Sequence, residues 1–129
     1  MKPQSEAYLE KSHEMLEDAR RTLAAALPGH AARMAYFVAF HAAQALIIER
    51  QSRAAKTHRG VNAQFARIAR DEGLARELPA FLTSSYHYKE SVDYDTGPER
   101  IVRHEDAACA ISEAEQFLLT IAAFLGQRE

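Results

Sequence analysis

The sequence predicts an all-α protein, an antiparallel up-and-down bundle of four to five helices. Three observations carry that expectation. Apolar residues recur at spacings of three and four along most of the chain, the period of a half-buried helix. Alanine, leucine, glutamate and arginine recur throughout, while glycine is limited to five residues and tryptophan is absent, a mixture that favours helix over sheet. No window alternates at period two with β-branched residues, and neither an internal repeat nor a low-complexity segment is present.

Between Ser5 and Leu27, the residues Tyr8, Met15, Leu16, Ala19, Leu23, Ala26 and Leu27 form the stripe of a first helix, and Pro28-Gly29 stops it. The second begins near His30. Its run "AARMAYFVAFHAAQALIIER" sets Met34, Phe37, Val38, Ala42, Ala45 and Ile48 on one face and is apolar over more than half its circumference, as for a central helix or a dimer surface. "QSRAAK" reads as a loop, after which Thr57 can cap a third helix carrying Val61, Phe65 and Ile68 that Gly73 closes. A fourth is expected from about Arg76 or Pro79 through Tyr88, with Leu78, Phe81, Leu82 and Tyr86 inward. "SVDYDTGPER" then reads as a loop, because Asp93, Asp95, Gly97 and Pro98 are turn formers. The last helix starts at His104, with Ala107, Ile111, Ala114, Leu118, Ile121 and Leu125 in register and Glu105 and Asp106 suited to its first turn.

At 129 residues, 47% hydrophobic and 26% charged, the chain suits one domain with a real core. The net charge of −2 provides no global field for nucleic acid, so any such contact must be a local patch. A lone cysteine, Cys109, excludes an intrachain disulfide and a cysteine-based zinc site and fits a reducing compartment. The N-terminus lacks the apolar core of a signal peptide, and about 18 apolar residues never run without a charge. A cytoplasmic protein with no membrane role is expected. The histidines do not fall at metal-ligand spacing, so neither a metal nor a cofactor is expected.

Four separated blocks, "AYFVAFHAAQALI", "KTHRGV", "YHYKESVDYD" and "EDAACAISEAEQFLLTI", stand in one order along the chain. From about Tyr8 to Leu125 the sequence resembles the HEPN domain family, and within it the small stand-alone prokaryotic proteins. The resemblance implies a helical bundle, frequent homodimerisation and often a minimal nucleotidyltransferase partner in toxin–antitoxin-like pairs. Many members are metal-independent ribonucleases with an arginine followed four to six residues later by a histidine near the end of the fourth helix. There the imidazole can move protons while the planar guanidinium holds phosphate. This sequence departs from the pattern. Lys89 stands where arginine is more usual, and Asp93-Tyr94 occupy the region of the histidine. Lysine supplies charge without the two-pronged fork, and neither replacement has an ordinary pKa near neutrality. Arg33 with His41 and Arg100 with His104 are the other pairs, at spacings of eight and four, and neither fits.

The candidate catalytic residues are therefore Lys89, His87 and His58, with none established. The candidate binding residues are Lys56, Thr57, His58, Arg59, Lys89, Asp93 and Tyr94. Lys56, His58 and Arg59 at a helix N-terminus can form an anion pocket for RNA or a nucleotide, or Thr57 simply caps the helix while its neighbours satisfy backbone and carboxylates. Asp93 suits a turn with an ion pair to Lys89. His87, Tyr88 and Lys89 are expected to form one polar end facing the same loop. His41 is expected buried and hydrogen-bonded to another helix, Tyr36 and Phe40 as packing residues, and Cys109 as a small buried side chain. Three functions remain open: a binding HEPN module with a degenerate nuclease motif, an active endoribonuclease with a rearranged site, or a purely structural dimerisation bundle.

Overall fold

The computed structural model describes residues 1–97 and 101–127. Its helices are α1 (Pro3–Ala24), α2 (Pro28–Gln51), α3 (His58–Asp71), α4 (Glu77–Tyr94) and α5 (His104–Gln127), and no strand occurs among the described residues. The all-α bundle expected from the periodicity is the one observed. Three boundaries differ, the first because Pro28 and Gly29, read as the stop between the first two helices, are the opening residues of α2, where a proline is tolerated in the first turn. The first helix ends at Ala24, since Ala26 takes a left-handed φ of 64° and turns the chain, leaving Leu27 half exposed. The fourth continues six residues past Tyr88, so Ser91 through Tyr94 are helical rather than loop. Their ion pairs across and along the helix outweigh the turn preference of Asp93. Pro98 lies outside the described residues.

α2 runs through the middle of the bundle and packs against each of the other four helices. Its side chains from Ala31 to Ile48 are buried on nearly all sides, which is why its sequence is apolar over so much of its circumference. By length and composition α2 and α5 could each cross a membrane, but 78% of the apolar window of α2 is buried inside the bundle, against 39% for α5. α1 lies along α2 through Ser5, Leu9, Ser12, Leu16 and Ala19. Small residues alternate with leucines in that stripe, so the two helices approach closely, and the Ser12 hydroxyl donates to the Val38 carbonyl at 2.7 Å. Tyr8, Met15 and Leu23, expected on this face, flank it half-buried. Phe65, Phe81 and Phe117 close the other side of the core, with ring centroids 5.1 and 6.4 Å apart.

The loop before α3 is pinned by a buried amide. Gln44 donates to the Ala55 carbonyl at 2.9 Å and accepts from the Ala55 N–H at 3.0 Å, so the chain cannot shift along α2. Thr57 then caps α3 as its sequence position suggested, its hydroxyl accepting from the Gly60 N–H at 2.9 Å. A Cβ at Gly60 would sit 3.0 Å from that oxygen, which explains the glycine. Arg50 grips Glu72 with two bonds of 2.6 and 2.9 Å and fixes the far end of α3.

Two side chains differ from expectation. His41 is buried, but its Nδ1 has no hydrogen-bond partner, because the rings of Tyr8, Phe37 and Phe40 surround it and offer no acceptor. Burial, with a smaller contribution from Lys11, brings its pKa down to about 4. Cys109 is exposed, since Ala107, Ala110 and Ile111 take the inward positions of α5. Its thiol donates to Glu113 at 3.5 Å, and that carboxylate raises its pKa, so the thiolate is disfavoured.

Replacing Gln44 by leucine strands both polar groups of Ala55 and is expected to cost about 2–3 kcal/mol in urea denaturation. The buried His41 makes the fold acid-sensitive. Because its folded pKa lies below the unfolded one, stability is complete above about pH 6.5 and drains as pH falls toward 4. Unfolding free energy is expected to drop by roughly 2–3 kcal/mol between pH 7 and pH 4.5 from this group. His41→Phe should flatten that limb of the profile.

Candidate functional site

The N-terminus of α3 and the C-terminal half of α4 meet over one face of α2, and there the polar chemistry of the molecule collects. α2 contributes Arg33, Tyr36, Phe37 and Phe40, which recur at helical spacing. α3 contributes His58, the first residue after its cap. From α4 come Tyr86, Lys89, Glu90 and Asp93, which share a face at intervals of three and four residues.

Asp93 is the hub. Its carboxylate accepts from Arg33 Nε at 2.7 Å and pairs with Lys89 Nζ at 3.3 Å, tying α2 to α4. The hydrogen bond from Arg33 is the main cause holding its pKa below the usual carboxylate range. Burial works against the charge of Lys89, whose side chain is only 12% exposed, but the bond to Asp93 and the nearby phenols outweigh it and raise its pKa. The Lys89 ammonium also lies 5.1 Å from the Tyr94 ring centroid and 5.9 Å from that of Tyr86. Arg33 stacks over Phe37 at 4.9 Å.

His58 turns inward beside this ion pair. Its Nδ1 lies 2.8 Å from the Tyr36 hydroxyl, and its ring packs against Phe37, Phe40 and Tyr86 at centroid distances of 5.9, 4.8 and 5.5 Å. Burial first, then Lys89 and Arg33, lower its pKa, with Glu90 opposing them. Tyr36 is fully buried and burial pushes its pKa well up, so its hydroxyl stays protonated and shares the hydrogen bond with Nδ1 of a neutral imidazole, whose tautomer sets the direction. Tyr86 bonds to Glu90, and that carboxylate raises its pKa. The result is a neutral histidine, two cations and two carboxylates, Asp93 and Glu90, beside a group of aromatic rings. Such an arrangement can hold an anion through Arg33 and Lys89 and can accept or pass a proton at the imidazole.

The residues singled out in the sequence are thus divided. His58, Lys89, Asp93 and Tyr94 come together. Thr57 serves as the cap, while Lys56 and Arg59 point to solvent on the other side of α3. His87 sits apart from Lys89. It lines a groove between α4 and α5 with Tyr88, Asp106 and Cys109, because two residues along a helix rotate it by about 200°. Arg100 lies outside the described residues. Among the described residues no His, Cys, Asp and Glu group could hold a metal.

Arg33, Tyr36, Tyr86 and Glu90 were missed as site residues. One signal could have found the first: Arg33 is the sole charged residue between Pro28 and Ile48, and a lone charge in an otherwise apolar helix needs a partner. No comparable mark distinguishes Tyr36 from its aromatic neighbours.

A family model described as HEPN domain matches residues 5–123. No curated protein matches the sequence. The His58 environment gives a direct check by NMR. The wild-type imidazole is expected to titrate below the ordinary histidine value, and Lys89→Met, which removes a like charge, should move its midpoint upward.

Proposed function

The chain belongs to the HEPN domain family, and on that premise we propose that it is the HEPN component of a toxin–antitoxin or defence-type pair in the cytoplasm. In this reading it forms a homodimer, works with a minimal nucleotidyltransferase and binds a phosphate of RNA or of a nucleotide. The Arg–His nuclease motif of the family is degenerate. The observation that carries the reading is the convergence of Arg33 and Lys89, from different helices, on the Asp93 carboxylate beside neutral His58. Asp93 already presents two anionic oxygens to the two cations, so a phosphate oxygen pair can take over the same donors. The Tyr36 hydroxyl engages His58 Nδ1 at 2.8 Å, which favours holding an anion over cleaving one.

A second reading has its own observation. His58 keeps a depressed pKa close to two cations, the combination a metal-independent phosphodiesterase needs from a proton acceptor and a phosphate clamp. Here the guanidinium and imidazole come from α2 and α3 rather than from one short motif. Incubation with structured and single-stranded RNA in chelator separates the two. Cleavage lost in His58→Ala selects the nuclease, and intact RNA at high protein concentration eliminates it.

The binding reading is tested by fluorescence anisotropy with a labelled oligoribonucleotide and by co-purification with a co-encoded nucleotidyltransferase. Changing Arg33 and Lys89 together to alanine is expected to weaken oligonucleotide affinity by about tenfold or more, since charge-assisted bonds contribute roughly 1.5–3 kcal/mol each. Unchanged affinity, together with no nucleotidyltransferase complex, would count decisively against the proposal.

A further inference from the structure

The sequence is unevenly charged in a way the cluster around Asp93 does not explain. Residues 50–70 hold six of the chain's sixteen lysines and arginines and no aspartate or glutamate, in a protein whose net charge is −2. Folding sorts these cations. Arg50 is drawn to Glu72 and half-covers Phe124. Lys56, Arg59, Arg67 and Arg70 are all exposed; the spacing of eight and three residues sets Arg59, Arg67 and Arg70 on one side of α3, opposite Val61, Phe65, Ile68 and Ala69, which face the core, and Lys56 stands just before the helix cap. Ala63 lies in the same row and keeps its centre low, beside a shallow recess lined by Gln51, Gln64 and Arg67. Among the described residues, Lys56, Arg59 and Arg67 make no ion pair, and Arg70 has only its neighbour Asp71 at 3.4 Å.

We infer that this outer face of α3 is a track for the sugar–phosphate backbone of a nucleic-acid strand. The inference rests on the reading of the chain as an RNA-contacting module, and it adds a surface separate from the Arg33–Lys89 cluster. From Arg59 to Arg70 the row spans about 16 Å at the rise of an α-helix, with Lys56 just before it, enough to meet several consecutive phosphates. Charge complementarity selects the occupant. The row carries cations and one alanine but no aromatic or large apolar side chain, so it lacks the desolvated anchors on which a folded protein partner depends, whereas a phosphate backbone requires only positive charge. Lys56, just before the row, is two residues from His58, so a strand lying on the row reaches the inward-facing cluster at the N-terminus of α3.

The experiment is the salt dependence of anisotropy for a single-stranded 20-nucleotide RNA, compared among wild type, Arg59→Gln with Arg67→Gln, and a control pair, Lys11→Gln with Arg21→Gln, that removes equal charge from exposed positions of α1. The α3 variant is expected to keep the wild-type circular dichroism and melting profile while the slope of log affinity against log salt shrinks by roughly 0.7 for each cation removed. The control is expected to retain the wild-type slope. Four results overturn the inference. Wild type that binds with the same slope as the α3 variant removes the track and leaves the phosphate cluster standing. Equal losses in the control reduce the effect to net charge. Wild type that fails to bind RNA at low salt removes the track and the RNA-binding reading together. Displacement of the RNA by polyglutamate at equal charge would reassign the face to an acidic protein and also overturn it.

Discussion

Enclosure of α2 is the constraint from which the remaining structure follows. A helix buried on nearly all sides must be apolar on nearly all sides, and its alanines at 31, 32, 35, 39, 42, 43 and 45 let four neighbours approach its axis closely. A charge on such a helix has few permitted positions. Arg33 is tolerated because it lies in the first turns, where Asp93 reaches it from α4 at 2.7 Å and Phe37 supports its guanidinium. That demand for a partner also accounts for the length of α4, whose last turn carries the carboxylate.

Several polar side chains that the bundle covers are matched to specific backbone groups. Ser12 bonds to a carbonyl of α2, and Gln44 takes up both backbone groups of Ala55. Lys2 bonds at 3.3 and 3.0 Å to the carbonyls of Ile48 and Glu49 at the end of α2. These bonds do more than offset desolvation. The Gln44 clasp decides where the loop crosses α2, the Thr57 cap decides where α3 begins, and together they bring His58 against Tyr36 rather than into solvent. Three buried side-chain atoms among the described residues are exceptions, Ser5 Oγ, Asn62 Oδ1 and His41 Nδ1, and the imidazole remains neutral because burial disfavours its charge.

Electrostatics divides the molecule into an inner and an outer cationic set. Arg33 and Lys89 are held by one carboxylate beside aromatic rings, and of the three side chains Lys89 is the most covered. The cations of α3 stand in water with little to neutralise them. A chain that is acidic on average can therefore present local positive surface, and net charge alone is a poor guide to what it can touch.

Period alone determined much of this protein: the all-α class, the central position of the second helix, the Thr57 cap and the long final helix were all readable from the spacing of apolar residues and the chemistry of helix ends. The four sequence blocks pointed to the HEPN family. What the linear order could not supply was the inward stripe of α1, since two of its five residues are serines that hydrophobicity does not select. Nor could it supply the extension of α4, where an ion pair to a residue sixty positions away overrides the turn preference of Asp93. The same holds for the site. Lys89 and Asp93 are visible as an i, i+4 pair, but Arg33 and His58 join them only after three helices pack, because side-chain proximity across a bundle is set by helix rotation and crossing, and local sequence encodes neither.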